Sequence, residues 1–236
     1  MNWKERSNKY NNTNWVKDTF LLEEFFKNIT KKYYKNVLEI GIGTGIVADY
    51  FLNNFKCANY YGIDYSQDML NQIKNKNIIK KNIDCNKVPF ENNSQDLIIM
   101  RNVFHYLDYE TKNNTLSEIN RCLTPNGIFI LSQIIPFDEV ISIEYDKLID
   151  RNIHYYTESE IETIISNKLN ILNKYSIISK QNSISNWASS SNQDIDKIIN
   201  KHKMLSNRFK KMISYHETLD DIYVNIKHII IYSNKL

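Results

Sequence analysis

Glycine and proline are scarce in this chain, five and three residues among 236, while asparagine, lysine and isoleucine abound. We read that bias as the mark of an AT-rich coding sequence and give the many asparagines and lysines no functional weight. Cysteine is sparse as well. Cys57, Cys85 and Cys122 are scattered and odd in number, which gives neither a disulfide framework nor metal-ligand spacing, so no metal is expected. No apolar run is long enough to span a bilayer, and Met1 to Arg6 are polar and mixed in charge, unlike a signal peptide. A cytoplasmic protein without membrane association is the expectation. A net charge of +3 is too small to argue for nucleic acid as a partner. No Gly-Lys-Ser/Thr follows the glycine-rich stretch, which excludes a P-loop.

What is present is enough for one good core: apolar residues make up 42% of the chain. The rest is organised around Asn36 to Gly45, NVLEIGIGTG. A short buried strand, Val37–Ile40, runs into a turn with Gly41, Gly43 and Gly45 at alternate positions, and a helix follows from Ile46 to Asn53. Glycine lets a ligand approach the backbone, and a helix start offers free N–H groups, so this suits a nucleotide-like ligand.

Further strands are expected at 60–63, 78–83, 96–100 and 128–132, alternating with helices that include one capped by Ser66 and one over 109–122. Repeated strand–helix units imply a parallel sheet covered on both faces. Thr157 with Glu160 forms a capping-box pattern for a helix to about 167. A sixth strand over 171–179, a Ser/Asn-rich stretch around Trp187, a basic helical segment over 195–212 and a last strand over 223–232 complete the pattern. The basic run, with Lys201, Lys203 and Arg208, reads as a solvated helix face. Residues 3–35 look helical, with Tyr10 and Trp15 serving either as aromatic anchors or as a lid over a ligand.

Acidic residues fall at the strand ends where doubly wound sheets bind ligands: Glu39 within strand one, Asp64 after strand two, Asp84 after strand three. A nucleoside with an amino-acid tail needs this set. Asp64 can accept both ribose hydroxyls and Asp84 the adenine amino group. Glu39 can orient the loop backbone and the tail's cationic amino group. Such charge-assisted bonds are worth about 1.5–3 kcal/mol each. A dinucleotide site would need a small third residue where Ile46 stands, and leaves Glu39 and Asp84 unexplained.

These residues carry a resemblance. VLEIGIGTG, YGIDYSQDML, NIDCNKVPFENNSQDLIIM and RCLTPNGIFILS resemble the successive motifs of class I S-adenosylmethionine-dependent methyltransferases. They are most similar to the group around the ubiquinone/menaquinone-biosynthesis methyltransferases, over roughly residues 36–133. Cys85 stands for a usual alanine, and Asn126 for a glycine, which asparagine can replace where φ is positive.

The resemblance implies an α/β, doubly wound, Rossmann-like fold with a seven-stranded sheet, mostly parallel, its last strand antiparallel. A single domain over 1–236 would comprise a helical lid (1–35), a cofactor-binding core (36–135) and a substrate-side half (136–236) with a cap insertion at about 181–221. It further implies S-adenosylmethionine as cofactor, S-adenosylhomocysteine as product, and a small-molecule acceptor. Gly41, Gly43, Asp64, Tyr65, Met69, Asp84 and Cys85 would line the cofactor pocket, with Arg101 and Asn102 near the methionine tail. His105 is the candidate base, with Tyr106 beside it. Ser183 to Trp187 resembles an S-I-x-N-W stretch of some small bacterial members, which places Trp187 and His202 on the substrate side. Methylation of RNA or protein is the runner-up, although an Asn-Pro-Pro-Tyr motif is missing from the sequence. A binding protein that keeps the fold without turnover is the other class. The acceptor atom and the oligomeric state are not fixed by the sequence.

Overall fold

In the strand that starts at Gln95, Leu97 and Ile99 face one layer of the core while Ile98 and Met100 face the other, and all four are fully buried. A strand apolar on both faces can lie only inside a sheet covered on both sides. Burying each such side chain is worth about 1.5–3 kcal/mol. The computed structural model describes residues 3–148 and 153–236; the first two residues of the expected lid lie outside it.

The elements run α1 (Trp3–Tyr10), α2 (Thr19–Phe26), β1 (Tyr33–Ile40), α3 (Ile46–Asn54), β2 (Lys56–Asp64), α4 (Gln67–Leu70), β3 (Ile78–Asn82) and β4 (Gln95–Arg101). Then come α5 (Tyr109–Cys122), β5 (Leu123–Ile135), α6 (Ser142–Asp146), α7 (Glu158–Ser166), β6 (Leu169–Ser183), α8 (Ile184–Ser190), α9 (Ile195–Lys203), α10 (Asn207–Met212), β7 (His216–Glu217) and β8 (Ile222–Lys235).

The sheet order is β3-β2-β1-β4-β5-β8-β6, with the two-residue β7 paired to β8. Strands β1 to β5 pair in parallel, and β8 is antiparallel to both neighbours, β5 and β6. The last strand is therefore antiparallel, as expected, and sits inside the sheet. Leu21, Phe25, Val47 and Phe51 from α2 and α3 pack on one face, Leu116, Ile119, Ile161 and Ile165 from α5 and α7 on the other.

Several local expectations change. The N-terminal stretch is not one helix: α1 stops at Tyr10, a 3-10 turn covers Asn14–Lys17, and Asp18 caps α2 by accepting from the Phe20 N–H. Asp and Asn favour caps and turns over helix interiors, so the polar run between the aromatics breaks the helix. The basic segment divides where Ser206 caps α10, and a helix not read from the sequence, α8, starts at the Ser183 cap. Asn126 is not among the residues with positive φ. It lies within β5, and the crowded position is Gly127, where a Cβ would sit 2.9 Å from the Gln95 carbonyl oxygen. The Thr157–Glu160 capping box forms as read.

Candidate active site

Strand order reverses between β1 and its neighbours β2 and β4, so the loops that leave the ends of these strands splay apart. A cavity of about 350 Å³ opens there. Its floor is the glycine turn. Gly41 and Gly43 adopt φ of 69° and 58°, a region that side chains other than glycine rarely enter. A Cβ on Gly41 would lie 2.2 Å from Val103 Cγ2, so the turn and the loop after β4 touch through the missing side chain. A Cβ on Gly43 would meet no atom of the described residues within 4 Å.

Asp64 ties β2 to that turn. One carboxylate oxygen accepts the Gly43 N–H and the other the Ser66 N–H, both at 2.8 Å. Burial raises its pKa against these two bonds. Asp84 lies on the same cavity, exposed, and accepts the Asn86 N–H at 3.1 Å. Met69 is buried on its wall, Tyr65 is exposed at its rim, and Cys85 accepts from the Thr115 hydroxyl at 3.4 Å.

Glu39 and Gly45 do not line the cavity. Glu39 is buried behind it, where the Tyr60 hydroxyl donates to it at 2.7 Å, and burial pushes its pKa up to about 8. Gly45 is the cap residue of α3, with φ of 85° and its open side against Ile73.

Beyond β4, Arg101 donates to the carbonyls of Trp15 and Val16 at 3.3 and 3.0 Å. Burial lowers its pKa, opposed by Tyr10 and Glu39. Asn102 takes φ of 55° and accepts the Ile134 N–H at 3.0 Å. His105 is buried, with its ring 4.0 Å from that of Tyr106 and 5.4 Å from that of Tyr155. Gln133 Nε2 meets His105 Nδ1 and also donates to the Ile134 carbonyl at 3.3 Å. The second bond orients the Gln133 amide toward the ring, with Nε2 facing Nδ1.

The N-terminal segment covers one side. Tyr10 and Trp15 line the cavity, and Asn11 accepts from Thr44 of the glycine turn at 2.5 Å. Burial pushes up the Tyr10 hydroxyl pKa, against the nearby Arg6 and Arg101. Trp187, on α8, lines the cavity too, whereas His202 does not and is buried against the Ile198 carbonyl.

Sequence reasoning missed Trp3, Arg6 and Tyr155 on the wall. Arg6 is buried under the rings of Trp3, Tyr10 and Tyr106, 5.1 to 5.8 Å from their centres, and donates to the Tyr106 hydroxyl at 2.7 Å. A signal existed: Trp3, Arg6 and Tyr10 recur at helical spacing and so share one face of α1. Tyr155 carried no such signal, since it lies in a segment without regular structure. Among the described residues no group of three or more His, Cys, Asp or Glu could hold a metal ion, and no helix is long and apolar enough to cross a membrane.

Residues 38–131 match the methyltransferase domain family. The chain is 31% identical over 101 residues to malonyl-[acyl-carrier protein] O-methyltransferase 2 of Ilyobacter polytropus, a match that covers 41% of this chain and only 38% of that relative. Among solved structures, a Bacillus halodurans protein described as a methyltransferase superposes with a TM-score of 0.78 at 15% identity, covering 91% of this chain and 98% of the other. The geranyl diphosphate C-methyltransferase of Streptomyces coelicolor, solved with S-adenosyl-L-homocysteine, gives 0.61 at 10% identity, covering 93% and 81%. Residues 38–131 thus match the methyltransferase domain family, and the chain as a whole is similar in fold to these solved methyltransferase structures.

Proposed function

We propose that this chain, as a single domain, transfers a methyl group from S-adenosylmethionine to a small-molecule acceptor and leaves S-adenosylhomocysteine. The observation that carries the reading is the meeting of Asp64, Asp84 and the open side of the glycine turn on one cavity. The residues fit a nucleoside with an amino-acid tail. Asp64 keeps lone pairs beyond its two backbone bonds for the ribose hydroxyls, and Asp84 is placed for the adenine amino group, with Met69, Cys85 and Tyr65 around the base.

Asn102 Nδ2 and Trp15 Nε1 are buried and, among the described residues, have no protein acceptor. Both belong to the cavity wall, and such donors suit the carboxylate of the tail. Arg101 has five N–H groups, enough to hold the Trp15 and Val16 carbonyls and a carboxylate together. Glu39 is held behind the wall by the Tyr60 hydroxyl, and Gly45 sits at the start of α3.

The bound cofactor supplies an electrophilic methyl group on sulfur. The protein's share is orientation of the acceptor and exclusion of water. Trp187, His105, Tyr106 and Tyr155 enclose the other part of the cavity, whose size is usual for small ligands. His105 orients the acceptor by hydrogen bonding and serves as a base only where the acceptor must lose a proton. Calorimetric titration tests the reading. S-adenosylmethionine and S-adenosylhomocysteine are expected to bind and NAD is not; NAD binding of equal or greater strength would overturn it.

A further inference from the structure

Trp15 and Trp187 come from opposite ends of the chain, yet one side chain holds both segments. Asn186, on α8 and next to Trp187, donates from Nδ2 to the Asn12 carbonyl at 2.9 Å. Its Oδ1 accepts the Asn14 N–H at 3.0 Å. The amide thus reads the N-terminal backbone as a neighbouring strand would, donor to acceptor and acceptor to donor. Asn192, just past α8, accepts from Lys9 at 3.0 Å and donates to Glu5; these contacts are exposed, as the Asn186 bonds are, but they reach α1 and not the backbone beside Trp15. On its other side the N-terminal segment is tied to the cavity floor by Thr44 and to β4 by Arg101. Asn186 does not itself line the cavity.

We propose that Asn186 is a positioning residue that makes residues 3–17 and α8 a single gate over the cavity. The wall bearing Tyr10 and Trp15 and the wall bearing Trp187 then open and close together. A ligand seated under one wall also orders the other, so occupancy of the nucleoside end seats Trp187 over the acceptor end. The ligand-dependent half of this statement rests on the function proposed above; the coupling of the two walls does not. It assigns the asparagine of the Ser183–Trp187 stretch a use that the cofactor reading leaves open.

The chain has three tryptophans, Trp3, Trp15 and Trp187, and all three line the cavity, so its tryptophan fluorescence reports on the gate alone. Two proteins isolate its sides: Trp3→Phe with Trp187→Phe keeps Trp15, and Trp3→Phe with Trp15→Phe keeps Trp187. Without ligand, Asn186→Ala is expected to raise acrylamide quenching roughly two- to fivefold at both tryptophans, since the loss of two hydrogen bonds raises the open population. A rise at Trp187 alone means two independent flaps and overturns the proposal. Asn186→Asp keeps an acceptor for the Asn14 N–H but sets an anionic oxygen against the Asn12 carbonyl. It is expected to open both walls at least as far as alanine does, and wild-type quenching in that variant also overturns the proposal.

Hydrogen exchange on the unaltered protein needs no variant to fold. Residues 3–17 and 184–190 are expected to share one opening free energy, and S-adenosylhomocysteine to slow both together. Distinct opening energies overturn the gate. Absence of S-adenosylhomocysteine binding in calorimetry overturns the function reading instead and leaves the ligand-free arms to decide the gate.

Discussion

Glu39 is a carboxyl group in a place where its charge is unwelcome. Burial raises its pKa from 4.5 to about 8, so it is largely neutral at pH 7 and shares a hydrogen bond with Tyr60. The folded state then holds a proton that the unfolded chain releases above about pH 4.5. Stability falls as pH rises from there and levels off above about 8, a loss of about 3–5 kcal/mol. Glu39→Gln is expected to keep the neutral shape and flatten that decline, as read by denaturant titrations between pH 5 and 9; an unchanged slope would place the titration elsewhere. Asp64 behaves differently, because its carboxylate accepts two backbone N–H groups. Asp64→Ala is expected to weaken S-adenosylhomocysteine binding by about 1.5–3 kcal/mol, roughly ten- to a hundredfold. It is also expected to lower unliganded stability by about 1–3 kcal/mol, since the N–H groups of Gly43 and Ser66 lose their acceptor. Calorimetry and chemical denaturation separate the two effects. The strand-end position of Asp64 was legible in the sequence. Its double backbone bond was not, because it depends on how β1 and β2 come side by side.

At the scale of elements, the glycine turn and the loop after β4 are one unit. Gly41→Ala adds a methyl that collides with Val103 and demands a φ of 69° from alanine. A stability loss of about 2–4 kcal/mol is expected. Val103→Ala in the same chain removes the colliding methyl groups and is expected to return the collision share, leaving about 1–2 kcal/mol for the backbone. Denaturation midpoints of the three variants decide it; strict additivity of the two single changes would sink the contact. The turn could be read from sequence because glycine spacing and the neighbouring apolar run are local signals. α8 could not, since its cap and its Ser/Asn-rich composition also suit a loop, and burial of Ile184, Trp187 and Ala188 against the rest of the core decides for a helix. The N-terminal stretch erred the other way. Its aromatics suggested one helix, while the polar run at Asn11 to Asn14 breaks it and leaves Trp15 to turn inward.

For the whole molecule, the expected readout of the proposed cofactor is mass action on stability. S-adenosylhomocysteine at a hundred times its Kd is expected to add about 2.7 kcal/mol and raise Tm by about 5–11 °C, with NAD at the same concentration giving none. A Tm that ignores S-adenosylhomocysteine would count against the cofactor reading. The sequence by itself determined the alternation of strands and helices, the parallel core, the glycine turn and the acids at its strand ends. Each of these is written in local periodicity, in caps, or in the position of a polar residue at the end of an apolar run. Tertiary structure alone decided that β8 slips between β5 and β6, that Arg6 and Tyr155 reach the cavity, and that Asn186 joins the two ends of the chain above it. Those contacts link residues up to 174 positions apart, and nothing in the local pattern of either partner encodes which distant segment it will meet.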